Sequence, residues 1–339
     1  MTTMNRRIVL ASRPSGAASE SNFRLESVPI PVPGPGQVLV RHHYLSLDPY
    51  MRGRMNDAKS YAEPQPLDEV MVGGTVGEVL ASNAPTLAVG DKVVGMGGWQ
   101  EYSIASADGP SRVAKVDASR IPLSAYLGVV GMPGVTGWYG LNAICEPKAG
   151  ETVVVSAASG AVGSVVGQLA KAKGCRVVGI AGGREKCDYV VAELGFDACV
   201  DYKAAGDPKA LRALLRATAP KGIDCNFENV GGTVLDAVLA QMNAFGRIAV
   251  CGMISRYDGA ALPLAEPALI LTARLKVQGF IVSEHPAVWP KALAELAAGV
   301  IGGTIKYRES VAQGLERAPE AFLGLLTGRN FGKQVVRLV

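Results

Sequence analysis

The first 144 residues contain no cysteine, and the whole chain has only three histidines. A structural zinc lobe needs closely spaced cysteines, and a catalytic zinc needs three side-chain ligands around one open position. The only histidines in that stretch are the adjacent His42 and His43. Neighbours on a strand point to opposite faces, so they make a poor chelate and no metal is expected. Long hydrophobic runs are missing too. After Arg6 and Arg7 comes only Ile8-Val9-Leu10-Ala11, short of a secretory core or of the ~20 residues that span a membrane. A cytoplasmic protein with no membrane partner is expected. No basic block stands out, and a net charge of +4 spread along the chain argues against nucleic acid. The six cysteines, at 145, 175, 187, 199, 225 and 251, lie singly in apolar surroundings. That pattern suits reduced thiols better than disulfides.

What is present is the composition of a packed globular chain, 48% hydrophobic and 19% charged. At 339 residues it exceeds what one core usually serves, so two domains are expected. Residues 1–127 read as β-rich and irregular, with strand character at 38–41, 73–80 and around 91–94, and with Pro29, Pro31, Pro33 and Pro35 punctuating early turns. From residue 128 the rhythm changes. Apolar runs at 152–155, 176–180, 198–200, 223–227, 247–251 and 276–282 alternate with helical patterns at 161–173, 184–194, 207–218 and 231–242. Six such runs predict an α/β fold with a doubly wound parallel sheet over 128–305. Residues 306–339 end in strand character and are expected to return to the first domain.

The strongest local signal is Val155-Ser156-Ala157-Ala158-Ser159-Gly160-Ala161-Val162-Gly163. It follows an apolar strand and opens an amphipathic helix, as a dinucleotide-binding turn does. Gly160 lets backbone approach a pyrophosphate, Gly163 lets helix and strand pack closely, and the helix start offers N–H groups to phosphate. Ala158 stands where the first glycine of such fingerprints usually is. An NAD enzyme carries an acid at the tip of the second strand. Here the tip reads Ala181-Gly182-Gly183-Arg184-Glu185-Lys186, without an acid at the glycines and with two cations after them. NADP(H) is therefore expected, its 2′-phosphate met by Lys186 or Arg184.

Several separated stretches resemble one family: Leu47-Asp48-Pro49-Tyr50-Met51-Arg52, Gly131-Met132-Pro133-Gly134-Val135-Thr136 and the glycine loop. Glu228-Asn229-Val230-Gly231-Gly232, Cys251-Gly252-Met253-Ile254-Ser255-Arg256-Tyr257 and Gly328-Arg329-Asn330-Phe331-Gly332-Lys333 complete the set. In their order and spacing they resemble the zinc-independent medium-chain dehydrogenases/reductases that include prostaglandin, alkenal double-bond and curcumin reductases. The resemblance implies a GroES-like barrel domain beside a Rossmann domain, and a homodimer joined through the latter. It implies coenzyme contacts at Pro49, Met132, Thr136, Gly160, Ala161, Val162, Gly163, Gly182, Lys186, Tyr202 and Asn229. Further contacts are implied at Cys251, Gly252, Ile254, Ser255, Tyr257, Phe280, Ile281, Val282, Asn330 and Gly332. Tyr257 matches the tyrosine proposed to assist catalysis, and Tyr50 a residue of the substrate cleft. Arg52 reads as a surface or ion-pairing residue, and Trp99 and Trp138 as aromatics that help shape the pocket.

The activity these readings imply is NADPH-dependent reduction of the C=C bond of an α,β-unsaturated aldehyde or ketone. Hydride adds to the β-carbon and charge develops on the carbonyl oxygen, where a phenol at Tyr257 can donate a proton. A plainer role for Tyr257 is to shape the pocket or hold the coenzyme ribose. Competing readings are a zinc-free quinone reductase with a flatter pocket and an NADPH-binding protein without turnover. Alcohol dehydrogenation normally wants zinc and fits less well.

Overall fold

The computed structural model describes residues 4–109, 111–259 and 261–339. Of the expected domain stretches, residues 1–3, 110 and 260 lie outside the described residues. The chain divides into two compact units, one ending at Gly128 and resuming over Glu309–Val339, the other spanning Val129–Arg308. Among the described residues no helix is long and apolar enough to cross a membrane.

The first unit holds strands β1 (Met4–Leu10), β2 (Phe23–Pro29), β3 (Gln37–Ser46), β4 (Thr75–Ser82), β5 (Lys92–Gly95), β6 (Tyr102–Ser106) and β7 (Ala114–Lys115), with the short helix α1 (Tyr50–Arg54). The second unit holds β8 (Thr152–Ser156), β9 (Arg176–Ala181), β10 (Ala198–Asp201), β11 (Ile223–Glu228), β12 (Met242–Val250) and β13 (Lys276–Gly279). Its helices include α2 (Met132–Tyr139), α3 (Gly163–Ala172), α4 (Arg184–Ala192), α5 (Tyr202–Ala205), α6 (Pro208–Thr218) and α7 (Gly232–Leu239). Strands β14 (Glu309–Gln313) and β15 (Lys333–Arg337) then belong to the first unit.

In the first unit β15 pairs antiparallel with β3 through Val335↔Ser46 and parallel with β14, extending the sheet that runs on through β4, β5 and β7. Strand β6 pairs with the other end of β3. The core beside it centres on Trp99, stacked on Phe23 at 5.3 Å and met edge-on by Phe322 at 5.6 Å. Trp99 is thus a wholly buried core residue rather than a pocket wall, since so large a ring contributes most to stability when enclosed. His42 is buried against the Ser103 hydroxyl at 2.8 Å, while His43 faces Glu78. Burial lowers the His42 pKa to about 3, which keeps the ring neutral.

In the second unit all six strands are parallel, in the order β10-β9-β8-β11-β12-β13. That is the strand order of the doubly wound dinucleotide fold, whose ligands lie outside the carboxyl ends of the strands where the order reverses, here between β8 and β11. The expected fold class stands: a Rossmann-like α/β unit and a separate sheet-rich unit. Within the parallel sheet two strands differ from the expected runs by more than one residue. β12 begins at Met242, ahead of the expected 247, because Phe245 takes a positive φ of 64° and the register against β11 shifts there. β13 ends at Gly279, and Val282–Glu284 is a 3-10 turn. Phe280 turns inward against Tyr139 and Phe227 instead of continuing the strand.

Candidate active site

The glycine loop leaves β8 at Ser156 and enters α3 at Gly163. Its sharp turn is taken by Ala157, at φ 49°, not by the residue in the first glycine's place. Ala158 is fully buried and packs over Gly179 of β9, so alanine is tolerated at that place without left-handed backbone. Gly163 has no such freedom: a Cβ there would lie 2.4 Å from the Ala157 carbonyl oxygen. The Gly160 N–H donates to the Ala157 carbonyl at 2.9 Å, closing the turn. The amides of 161–163 thus lie at the helix start, ahead of its own hydrogen-bond ladder. This is a cradle a side chain would fill, and it fits a pyrophosphate.

At the tip of β9, Gly182 has Tyr202 laid against it; a Cβ would meet the Tyr202 ring at 2.9 Å and its hydroxyl at 3.1 Å. Asp201 fixes this corner. Its Oδ1 accepts the Gly183 N–H at 2.8 Å and the Lys203 N–H at 3.0 Å, tying the end of β10 to the start of α4. The two cations left open by the sequence now separate. Arg184 has a side chain 91% exposed that reaches toward Asp188, whereas Lys186 is half-buried. Burial, then the neighbouring Lys203, lower the Lys186 pKa, with Glu185 opposing weakly. Glu185 lies 4.0 Å from Arg308 with its side chain 81% exposed. Two lysines, a phenol and a glycine make a corner suited to a phosphate dianion.

The third part was not legible in the sequence. Glu228, the last residue of β11, is completely buried. Its carboxylate accepts the Ser156 hydroxyl at 2.8 Å, the N–H groups of Val230 and Gly231 at 2.7 and 2.8 Å, and the Asn226 amide at 3.0 Å. Its carbonyl accepts the N–H groups of Cys251 and Gly252. The Ser156 hydroxyl accepts the Asn229 N–H, and the Asn229 side-chain amide donates to the Ser156 carbonyl at 2.7 Å. One buried anion therefore fixes the ends of β8, β11 and β12 around the reversal of strand order. Every oxygen of Ser156 and Glu228 named here is engaged, though the buried Asn226 Oδ1 has no partner among the described residues, and so dense a set of buried contacts holds the strand ends in place. The loop after β12 is latched to it, with Ile254 and Ser255 N–H groups donating to the Asn229 and Val230 carbonyls. Tyr257 is half-buried, its hydroxyl 3.6 Å from where a Gly252 Cβ would stand. Burial, then Glu228, push the Cys251 thiol up to about 12, so it is no nucleophile at neutral pH.

Met132 and Thr136 lie one turn apart on α2, and the Thr136 hydroxyl donates to the Met132 carbonyl at 2.7 Å. After β13, Phe280 and Val282 are buried and Ile281 half-buried. The Phe280 ring packs in the interior against Tyr139 and Phe227. Trp138 donates to Glu295 at 2.6 Å under Lys291, an anchor between helices.

The remaining expected residues lie in the first unit. Lys333, nearly fully buried, donates to the Leu47 carbonyl at 2.6 Å and to Asp48 at 2.9 Å. This joins 330–333 to the 47–50 loop across 285 positions of chain. Asp48 also accepts the Ser46 hydroxyl. The Asn330 amide donates to the Gly332 carbonyl at 2.8 Å, and Gly332 takes a φ of 72°. Pro49 and Tyr50 open α1, and burial, then Asp48, push the Tyr50 phenol well above its ordinary range. Arg52 is not a surface residue. It is 2% exposed, and its guanidinium donates to Asn56 and to the Gly16 carbonyl.

Two family models match the chain, "N-terminal domain of oxidoreductase" over residues 6–113 and "Zinc-binding dehydrogenase" over 161–298. The NADPH-dependent curcumin reductase of Escherichia coli (strain K12) is 49% identical, over 98% of this chain and 97% of that one. The chain belongs to the medium-chain dehydrogenase/reductase family. Another member, the NADP(+)-dependent 2-alkenal reductase of Nicotiana tabacum, is 45% identical over 98% of this chain and 97% of its own. The crystal structure of CurA in complex with NADPH from Vibrio vulnificus superposes with a TM-score of 0.92. It is 49% identical and covers 98% of this chain and 99% of that one. Although one matching model is named for zinc, among the described residues no three His, Cys, Asp or Glu side chains group as a metal ion would require.

Proposed function

We propose that this medium-chain reductase uses NADPH to reduce the C=C bond of α,β-unsaturated aldehydes and ketones. The observation that carries the coenzyme choice is the corner of Gly182, Lys186, Tyr202 and Lys203, where a 2′-phosphate finds two lysines and a phenol. Similarity over nearly the full length to reductases named for curcumin and 2-alkenals supports the substrate class. In this reading residues 160–163 and Gly182, Lys186 and Tyr202 hold the phosphates. Met132, Thr136, Asn229, Cys251, Gly252, Ile254, Ser255 and 280–282 line the rest of the coenzyme, and Pro49, Asn330 and Gly332 are further contacts that the resemblance implies. Tyr50 meets the substrate.

Bound NADPH supplies the hydride that adds to the β-carbon. The chain's part is to hold the alkene in place and to stabilise the enolate oxygen. Tyr257, on a loop latched to the Glu228 network at the carboxyl edge of the sheet, is the proton donor to that enolate. NADPH oxidation measured with a linear enal, a linear enone, an aryl enone and a quinone tests the whole reading. Enal and enone turnover is expected, with Tyr257→Phe lowering kcat about 10- to 100-fold and sparing the KM for NADPH. Quinone turnover alone, or binding of NADPH without turnover, would replace this reading with one of its competitors.

We also propose a cytoplasmic homodimer. The six free cysteines support the compartment. The dimer is supported by β13, an outer strand of its sheet, and by the exposed Phe245, Leu271 and Val277. Sedimentation should give twice the chain mass; a monomer at micromolar concentration would overturn the dimer.

A further inference from the structure

Of the six free cysteines, Cys187 and Cys199 have their Sγ atoms 2.7 Å apart, Cys199 donating to Cys187. Cys187 lies on α4, directly after Lys186, and Cys199 lies on β10, two residues before Asp201. Side chains that already face one another close without backbone movement. Cys199 is partly open to solvent. The other thiols are placed differently. Cys145, at the end of the helical turn Gly140–Cys145, and Cys225 of β11 are fully buried, their thiols donating to the Asn226 and Cys145 carbonyls, and Cys175 donates to the Lys148 carbonyl. Reactive cysteines are partly exposed. The 187/199 pair combines a facing partner with a solvent route at Cys199, while the nearby Asp188 and Asp201 carboxylates oppose the thiolate.

We propose that Cys187 and Cys199 form a dithiol that a small hydroperoxide oxidises reversibly to a disulfide. The hydrogen bond from Cys199 holds the Cys187 thiol below its ordinary range, which favours Cys187 as the attacking thiolate. Its sulfur attacks hydrogen peroxide, the O–O bond breaks, and a sulfenic acid forms while hydroxide leaves and is protonated to water. The Cys199 sulfur then displaces the sulfenic oxygen. An S–S bond forms, the S–O bond breaks, and the thiol proton leaves with that oxygen as a second water. Two thiols have lost two electrons and two protons, and one peroxide has become two waters. A dithiol reductant reverses the step by exchange.

The consequence rests on the reading of the Lys186–Tyr202 corner as the 2′-phosphate site. The cross-link ties the first turn of α4, which carries Lys186, to β10, which leads into Tyr202 and Lys203. Fixing that spacing beforehand removes ordering cost from binding. The oxidised protein should therefore bind NADPH about threefold more tightly, while NADH, which lacks the phosphate, binds equally to both forms.

The test treats the reduced full chain with equimolar hydrogen peroxide. Free thiols are counted in denaturant, disulfide peptides are mapped by mass, and NADPH and NADH affinities are read from coenzyme fluorescence. The expected result is loss of two thiols, a 187–199 linked peptide and recovery with dithiothreitol. The linked peptide should persist in Cys145→Ser and vanish in Cys187→Ser and in Cys199→Ser. Absence of that peptide in the wild-type chain overturns the site. Equal NADPH affinity in the two forms overturns the coupling. If neither form binds NADPH, the coenzyme reading fails, and the peptide map still decides the dithiol.

Discussion

Replacing Lys186 with alanine is expected to raise the KM for NADPH about 10- to 100-fold, the worth of one hydrogen bond to a charged group, with the KM for NADH unchanged. The selectivity between coenzymes should collapse rather than activity with both. No acid stands at Gly182 or Gly183 to bind a ribose hydroxyl, and the Tyr202 ring and the Lys203 side chain lie against Gly182 where a Cβ would stand. Lys186 is half-buried beside a second lysine, and both burial and that lysine disfavour its charged form. A phosphate dianion reverses that electrostatic balance. For the same reason NADPH affinity should fall as pH rises through the lowered Lys186 pKa, before the ordinary lysine range is reached. Arg184→Ala should change little, since its side chain is almost wholly in solvent.

Lys333→Met is expected to destabilise the first unit by about 3–5 kcal/mol, read as a lowered midpoint of chemical denaturation, because it leaves the Asp48 carboxylate buried without its cation. Lys333 and Asp48 are 4% and 8% exposed at their side chains, so water cannot replace the lost partner. The pair also binds the Leu47 carbonyl and thereby fixes the 47–50 loop that carries Pro49 and Tyr50. Activity should thus fall along with stability. Asp48→Leu on the Lys333→Met background should restore much of the stability, since apolar replacement of both partners of a buried pair is often close to neutral. Failure of the double variant to recover would mean that the Ser46 contact, rather than the ion pair, holds the loop.

The parallel sheet was legible because each of its strands is an apolar run closed by a turn signal, and buried strands of parallel sheets are apolar on both faces. The glycine loop was legible for the same reason, through its place between strand and helix. Boundaries failed where local conformation departs from residue type. Phe245 and Ala157 take positive φ without being glycine, and propensity gives no warning of that. Gly279 ends β13 because Phe280 finds its neighbours inside the unit.

Long-range partners were not legible at all. Lys333 and Asp48 each read as a motif letter, and nothing in either stretch says that they meet. Glu228 read only as the first letter of a stretch that begins just past the apolar run 223–227. An acid followed by a turn gives no sign of being the buried hub for Ser156, Asn226, Val230 and Gly231. Its one signal was the placement of a carboxylate against an apolar strand, where an unpaired charge would be prohibitive. The Cys187–Cys199 contact likewise emerges only when β10 is laid beside β9 and α4 packs over them.

Hydride is expected to reach the β-carbon of an enone. NADPH deuterated at its transferable hydrogen, incubated with this chain and a linear enone, tests it in one product analysis by mass spectrometry and NMR. The expected product is the saturated ketone with deuterium on the β-carbon. An unsaturated alcohol with deuterium on the former carbonyl carbon would contradict it, as would unlabelled, unreduced enone beside rapid turnover of a quinone.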